Sequence, residues 1–240
     1  MKPVRIFSHA TIEHPGYLCE YLDKRGICYE KIYIARGEFI PRKIDDISGL
    51  IFLGSPVSVN DPLSWVTEEI DLIRLASQAG VPILGICFGG QLICKALGGE
   101  VNSAPSMQIG WHRISLSEYA KDLFTSSSLL DSFYAFEWHG DTFSLPDGAL
   151  PLFKGGCIKN QGFLHKNCLA LQFHPEITKY MVHEWLEQYA HCLKESGVCI
   201  QSKEQILENI DEYLTHQRIV ANVVFNWWLD QVTLYWEGIV

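Results

Sequence analysis

Short apolar runs alternate along the first hundred residues with stretches of helical spacing. Pro3 to Phe7 reads as a first strand, and Gly16 to Lys24 carries Tyr17, Leu18, Tyr21 and Leu22 on one helical face before Gly26 supplies a stop. A second strand follows from Tyr29 to Ile34, and Ile47 to Leu53 is a third apolar run. That run breaks into Gly54-Ser55-Pro56-Val57-Ser58-Val59-Asn60-Asp61-Pro62, a loop by composition. Ser64 is the expected N-cap of a helix reaching Gln78, with Glu68 and Glu69 in early turns, where the peptide dipoles favour negative charge. Gly80 then hands over to a strand that ends at Cys87, and Gln91 to Leu97 resumes helical spacing. This alternation predicts an α/β fold: an open, mostly parallel central sheet with helices on both faces.

After Gly98-Gly99 the texture changes. Met107 to Leu116, Phe133 to Trp138, Leu152 to Cys157 and Gly162 to His165 are short strand-like pieces separated by turn residues, which predicts a small antiparallel region. The last strand, Cys168 to Phe173, runs into His174-Pro175-Glu176 and a helix from Thr178 to Glu195. Lys203 to His216 and Arg218 to Leu234 read as two further helices, the second rich in aromatics. The expected division is a domain of residues 1–196 with a C-terminal helical extension, 197–240, packed on it.

Composition narrows the function classes. The chain has 240 residues, of which 48% are apolar and 20% charged, as in an ordinary globular protein. No apolar run approaches the roughly 18 residues of a membrane span, and the N-terminus runs into a strand with no signal-peptide core, so a cytoplasmic location without membrane contact is expected. A net charge of -9 disfavours nucleic acid as a partner. The eight cysteines form no Cys-x-x-Cys pair and are expected to be reduced thiols. No metal-spaced His/Cys cluster or Walker-type glycine loop is visible, and no metal or cofactor is expected.

One cysteine is singled out by position. Gly85-Ile86-Cys87-Phe88-Gly89 has the form of a nucleophile elbow, in which flanking glycines permit a tight strand-to-helix turn that lifts the central side chain out of the sheet. At a helix N-terminus thiol pKa values fall to roughly 3.5–7.5, so Cys87 is expected to be thiolate-prone. The N–H of Phe88 would point towards the reacting carbon as an oxyanion donor. A thiolate needs a base and a group that fixes the base's tautomer, and His174 and Glu176, leaving the same sheet edge, fit those roles.

With Gly85-Ile86-Cys87-Phe88-Gly89-Gly90-Gln91 and Phe173-His174-Pro175-Glu176 together, the chain resembles the class I (triad) glutamine amidotransferase family. The likeness runs from about Val4 to Tyr189 and is greatest to the glutaminase part of GMP synthase and its stand-alone relatives. Gly54 to Asp61 resembles the family's oxyanion loop and Trp138-His139-Gly140-Asp141 its substrate loop. The resemblance implies Cys87 as nucleophile, His174 as general base and acid, and Glu176 as its orienting carboxylate. It places the oxyanion hole at the backbone of Gly54, Ser55 and Phe88. It places substrate contacts at Gln91, His139, Gly140 and Asp141. Where the family usually has two glycines this chain has Gly54-Ser55, so a positive φ at the second position would strain Ser55.

Those assignments imply cleavage of the γ-amide of glutamine or a γ-glutamyl compound through a γ-glutamyl thioester, releasing ammonia or an amine. Three readings stay open. The favoured one is a stand-alone amidohydrolase, since no nucleotide-using synthetase segment is among the 240 residues. The others are a glutaminase subunit that delivers ammonia to a separate synthetase partner, and a non-catalytic glutamine-binding module. Homo-oligomerisation is open in all three.

Overall fold

A computed structural model of the chain describes residues 1–125, 129, 131–194 and 197–239. Its strands are β1 (Val4–Ser8), β2 (Tyr29–Tyr33), β3 (Gly49–Phe52), β4 (Ile83–Ile86), β5 (Val101–Leu116), β6 (Ser132–Phe143), β7 (Leu150–Gly155), β8 (Asn160–His165) and β9 (Cys168–Leu171). The helices are α1 (Gly16–Lys24), α2 (Ser64–Gln78), α3 (Phe88–Ala96), α4 (Glu118–Leu123), α5 (Lys179–Gln188), α6 (Lys203–Leu207) and α7 (Ile210–Trp236). All nine strands join one sheet in the order β2-β1-β3-β4-β9-β8-β7-β5-β6. From β2 to β9 the pairing is parallel. From β9 to β6 it is antiparallel, so the antiparallel region continues the sheet.

Alternation along the central strands builds two cores. Ile51 and Leu53, Leu84 and Ile86, and Leu169 and Leu171 face one side, where they meet α1, α4 and α7. Leu50 and Phe52, Ile83, and Cys168 and Ala170 face the other side and meet α2 and α3. A third cluster packs Ile109, Trp111, Phe136 and Trp138 of the β5–β6 ribbon against α5, α6 and the start of α7. Strands covered on both faces are apolar throughout, which is why their runs stand out in the sequence.

Several elements differ from expectation for local reasons. Ser64 is the first helical residue of α2, and Leu63, extended at φ -99° and ψ 127°, takes the cap position without a side-chain bond. Residues 203–216 and 218–234 do not form two helices split at Gln217. The break falls at Asn209, left-handed at φ 57°, and α7 runs 27 residues through Gln217, which is buried on its core face. α5 stops at Gln188 and a short 3₁₀ turn follows at Cys192–Lys194. Glu195, the expected end of that helix, and Ser196, the expected end of the first domain, lie outside the described residues. Cys157 and Cys199 are joined by a disulfide, contrary to the expectation of reduced thiols. The turn between β7 and β8 lies beside the segment in which Ile200 bridges to Ile109, and that approach brings the two sulfurs together. The other six cysteines are not disulfide-bonded. Among the described residues no helix is long and apolar enough to cross a membrane.

The joint between β4 and α3 leaves no room for side chains at its glycines. A Cβ on Gly89 would lie 2.0 Å from the Phe52 carbonyl oxygen, one on Gly90 2.5 Å from that of Leu171, and one on Gly85 2.3 Å from that of Gly89. α3 therefore sits directly on β3 and β9. Gly89→Ala is expected to destabilise the protein by about 3 kcal/mol or more, because backbone rather than a flexible side chain must move; urea unfolding measures it, and a loss under about 1 kcal/mol would contradict the close approach.

Candidate active site

Cys87 is the N-cap residue of α3 and has φ 52° and ψ -108°, outside the regions ordinary L-residues occupy. Strain of about 1–3 kcal/mol is typical of such a backbone and is tolerated where neighbouring structure fixes it. Here the Cys87 N–H donates to the Leu171 carbonyl at 2.8 Å, which ties the turn to β9. The residue is 5% exposed and lines a cleft of about 360 Å³.

His174 and Glu176 follow β9, the parallel neighbour of β4, so they leave the same carboxyl edge of the sheet as Cys87. The Pro175-Glu176 turn lets the chain fold back, and His174 Nδ1 lies 2.8 Å from Glu176 Oε1 with both side chains buried. The Glu176 carbonyl accepts from Tyr17 N–H at 2.9 Å, and a Cβ on Gly16 would collide with it at 2.4 Å, so the start of α1 packs directly on this turn. His174 Nε2 is buried without a hydrogen bond of ordinary geometry among the described residues, and Cys87 is the acidic group coupled to it. Burial works to lower the His174 pKa, but Glu176 and Cys87 outweigh it and hold it well above the usual histidine range. Burial also pushes the Cys87 thiol up, against the pull of His174. The expectation of a depressed Cys87 pKa is thus corrected, because desolvation of the thiolate at this buried elbow exceeds the gain from His174 beside it.

The residues expected around the cleft come together, and their settings differ from the loop picture. Ser55, Phe88, Gln91, His139, Gly140 and Asp141 all line it. Ser55 is not among the residues with positive φ, so the departure from two glycines causes no backbone strain. At Gly54 a Cβ would lie 2.2 Å from Glu13 Oε2, so a side chain there would displace the Glu13 carboxylate. His139, Gly140 and Asp141 belong to strand β6, opposite an irregularity of β5 between Ser103 and Gln108. His139 is held between the Asp141 carbonyl (2.9 Å) and Glu137 Oε2 (3.0 Å). Asp141 Oδ2 accepts from Ser58 Oγ at 2.6 Å, clamping the Gly54 loop to β6. Gln91 Nε2 donates to the Asp141 carbonyl at 3.3 Å and to Gln172 Oε1 at 3.4 Å.

Sequence reading missed five buried polar groups here. Gln172 Nε2 approaches Cys87 Sγ at 3.8 Å. Glu13 lines the cleft, accepts from Tyr189 Oη at 2.8 Å, and has its pKa raised by burial. His9 and Glu69 form a fully buried pair behind Gly54. Glu69 therefore turns into the core and does not serve as a solvated charge at the start of α2. Gln217 accepts from Phe136 N–H at 2.9 Å and donates to the His174 carbonyl, so α7 holds the backbone of the histidine. His9 and Glu13 follow β1, whose carboxyl end adjoins the site, and the rule that ligands bind beyond strand carboxyl ends could have flagged them. Nothing local marks Gln217.

The glutamine amidotransferase class-I family model matches residues 17–189. A glutamine-hydrolysing GMP synthase subunit from Sulfurisphaera tokodaii is 34% identical over 137 residues, 56% of this chain and 70% of that protein. The GMP synthase of Borreliella burgdorferi strain N40 is 35% identical over 135 residues, and the match spans 25% of its length. The crystal structure of a glutamine amidotransferase from Methylobacillus flagellatus superposes with a TM-score of 0.91 at 33% identity, covering 96% of this chain and 95% of that one. The family model spans most of the chain, its matched region holds the strained cysteine and the buried His174–Glu176 pair, and the fold is the one its relatives adopt: the chain belongs to the class I glutamine amidotransferases, a family of cysteine-dependent glutamine amidohydrolases.

Proposed function

We propose that this chain cleaves the γ-amide of glutamine or of a γ-glutamyl compound through a γ-glutamyl thioester on Cys87. The observation that carries the reading is the convergence of Cys87, His174 and Glu176 at the adjoining ends of β4 and β9, with Glu176 held on His174 Nδ1. Nε2 is thereby left to exchange a proton with Cys87 and substrate. The Cys87 proton passes to Nε2 as sulfur attacks the γ-carbon. The oxyanion is held by the N–H groups of Ser55 and Phe88, the latter at the first position of α3, where no helical carbonyl can take it. His174 then gives its proton to the departing nitrogen, the C–N bond breaks, and ammonia or an amine leaves. Water, losing a proton to His174, attacks the thioester and frees glutamate and the thiol. Gln91, His139, Gly140 and Asp141 would receive the amino and carboxylate ends of the substrate, and residues 197–240 would act as an extension of the domain formed by 1–196.

A second reading, a glutaminase component passing ammonia to a synthetase, is favoured by the likeness to a protein named as one subunit of GMP synthase. Steady release of glutamate by the isolated chain supports the first reading, and release only on addition of a synthetase supports the second. A cytoplasmic location fits either.

Incubation with a panel of γ-glutamyl amides, followed by mass spectrometry, is expected to reveal an acyl group on Cys87; a chain that binds glutamine without ever carrying one would be a binding module. Glu176→Gln is expected to keep the fold and lose activity on the order of 10²- to 10⁴-fold, because the His174 tautomer is no longer fixed. An unchanged rate removes Glu176 from the mechanism.

The raised pKa values of Cys87 and His174 fix the sign of a pH dependence. Each group's charge bears on the other's titration, and burial of the Cys87 thiol moves formation of its thiolate to higher pH, so reactivity rises with pH. Alkylation of Cys87 by iodoacetamide is expected to accelerate from about pH 6 to about pH 9. Cys94 and Cys168, pushed up to about 11 by burial, should lag behind it. A rate already at its plateau at about pH 5 would mean a standing thiolate and overturn the assignment.

A further inference from the structure

His9 and Glu69 lie far apart in sequence, and their side chains are fully buried. His9 Nε2 lies 3.1 and 3.0 Å from the two Glu69 oxygens, and His9 Nδ1 lies 3.2 Å from the Gly54 carbonyl oxygen. A carbonyl oxygen only accepts, and the even approach of both carboxylate oxygens is that of a carboxylate receiving an N–H. Each ring nitrogen thus faces an acceptor, and the ring that satisfies both carries two protons. The charged groups facing it are Glu69 and, farther off, Glu13. Trp65 stacks on it at 5.4 Å, and Phe88 packs tilted against it at 5.0 Å.

The Gly54 carbonyl belongs to the same peptide unit as the Ser55 N–H. That peptide is trans, so carbonyl and N–H point to opposite edges. With the carbonyl turned back to His9, the N–H is turned away from it, towards the cleft that Ser55 lines, and it has no acceptor among the described residues. The ring that grips this carbonyl also packs on Phe88, whose N–H is the other oxyanion donor. We propose that the His9–Glu69 pair is a positioning device for the oxyanion hole: an imidazolium, held charged by Glu69, that locks and polarises the Gly54–Ser55 peptide so its N–H meets the developing negative charge.

A cation on the carbonyl draws electron density from the peptide and strengthens its N–H as a donor, and chains of hydrogen bonds polarise one another most where water is excluded. The gain is realised when the substrate carbonyl becomes an oxyanion, so it belongs to kcat rather than to ground-state binding. His9 touches neither substrate nor sulfur. Its role is to position a donor, and it rests on the reading of Cys87 as nucleophile.

Glu69→Gln separates charge from shape. A glutamine can donate to Nε2 while Nδ1–H still holds Gly54, so the contacts survive and the imidazolium is lost. With γ-glutamyl p-nitroanilide as substrate, kcat is expected to fall about tenfold while KM moves by less than about twofold, a fraction of the effect of deleting a whole donor. Alkylation of Cys87 by iodoacetamide, which forms no oxyanion, should keep its wild-type rate and pH profile. A kcat within twofold of wild type, or a parallel loss in alkylation, overturns the proposal while leaving the thioester mechanism intact. Absence of any thioester in the wild-type chain overturns both. If the variant does not fold, ¹⁵N-histidine NMR of the wild-type protein decides: two protonated His9 nitrogens at pH 7 are required, and a neutral ring excludes the device.

Discussion

The first turn of α3 rests on the carbonyls of Phe52 and Leu171, and it can do so only because Gly89 and Gly90 lack side chains. That contact forces the chain to leave β4 through a backbone that a cysteine would not otherwise adopt, φ 52° at Cys87, and it points the sulfur out of the sheet. The strain is held by strands on both sides, since β4 pairs with β3 and β9 in parallel. Because β9 is the neighbour that continues into His174, the restraint that orients Cys87 also sets its distance from His174. Stability is given up locally so that two groups from distant parts of the chain share one edge.

Around this joint the protein repeats one motif, an imidazole paired with a carboxylate out of contact with water. His9 with Glu69, His139 with Glu137 and His174 with Glu176 are all buried and lie 2.8 to 3.0 Å apart at closest approach. Buried ion pairs are a weak source of net stability, because desolvation offsets most of their attraction. Their effect is orientational. Each carboxylate fixes which ring nitrogen faces the next group: the Gly54 carbonyl for His9, the Asp141 carbonyl for His139, and the Cys87 side for His174.

α7 joins fold and site. Val224, Phe225, Trp228 and Val232 fill the core beneath β1 and β3, and Gly49 leaves space for the Trp228 ring, 3.0 Å from where a Cβ would stand. One turn region of the same helix carries Gln217 to the His174 carbonyl and the Phe136 N–H. The family match ends at residue 189, so this support for the histidine comes from outside the matched region. Displacement of α7 would be felt at the His174 backbone, which gives the C-terminal helix a physical route to the cleft.

Much of this was legible from residue order. Continuous apolar runs exposed the parallel strands because they are covered on both faces, and Gly85-Ile86-Cys87-Phe88-Gly89-Gly90 and His174-Pro175-Glu176 pointed to the groups that meet at one sheet edge, because tight turns demand particular residues at fixed spacing. Helical spacing did not find the break at Asn209 or the continuity through Gln217, since a polar residue with buried partners looks like any surface position. The upward pKa shifts of Cys87 and His174, the pairing of His9 with Glu69, the placement of His139 to Asp141 on a strand, and the Cys157–Cys199 bond came only from tertiary structure. Local backbone geometry is encoded by neighbours in sequence, whereas dielectric, charge pairing and sulfur proximity depend on which segments the folded chain lays side by side.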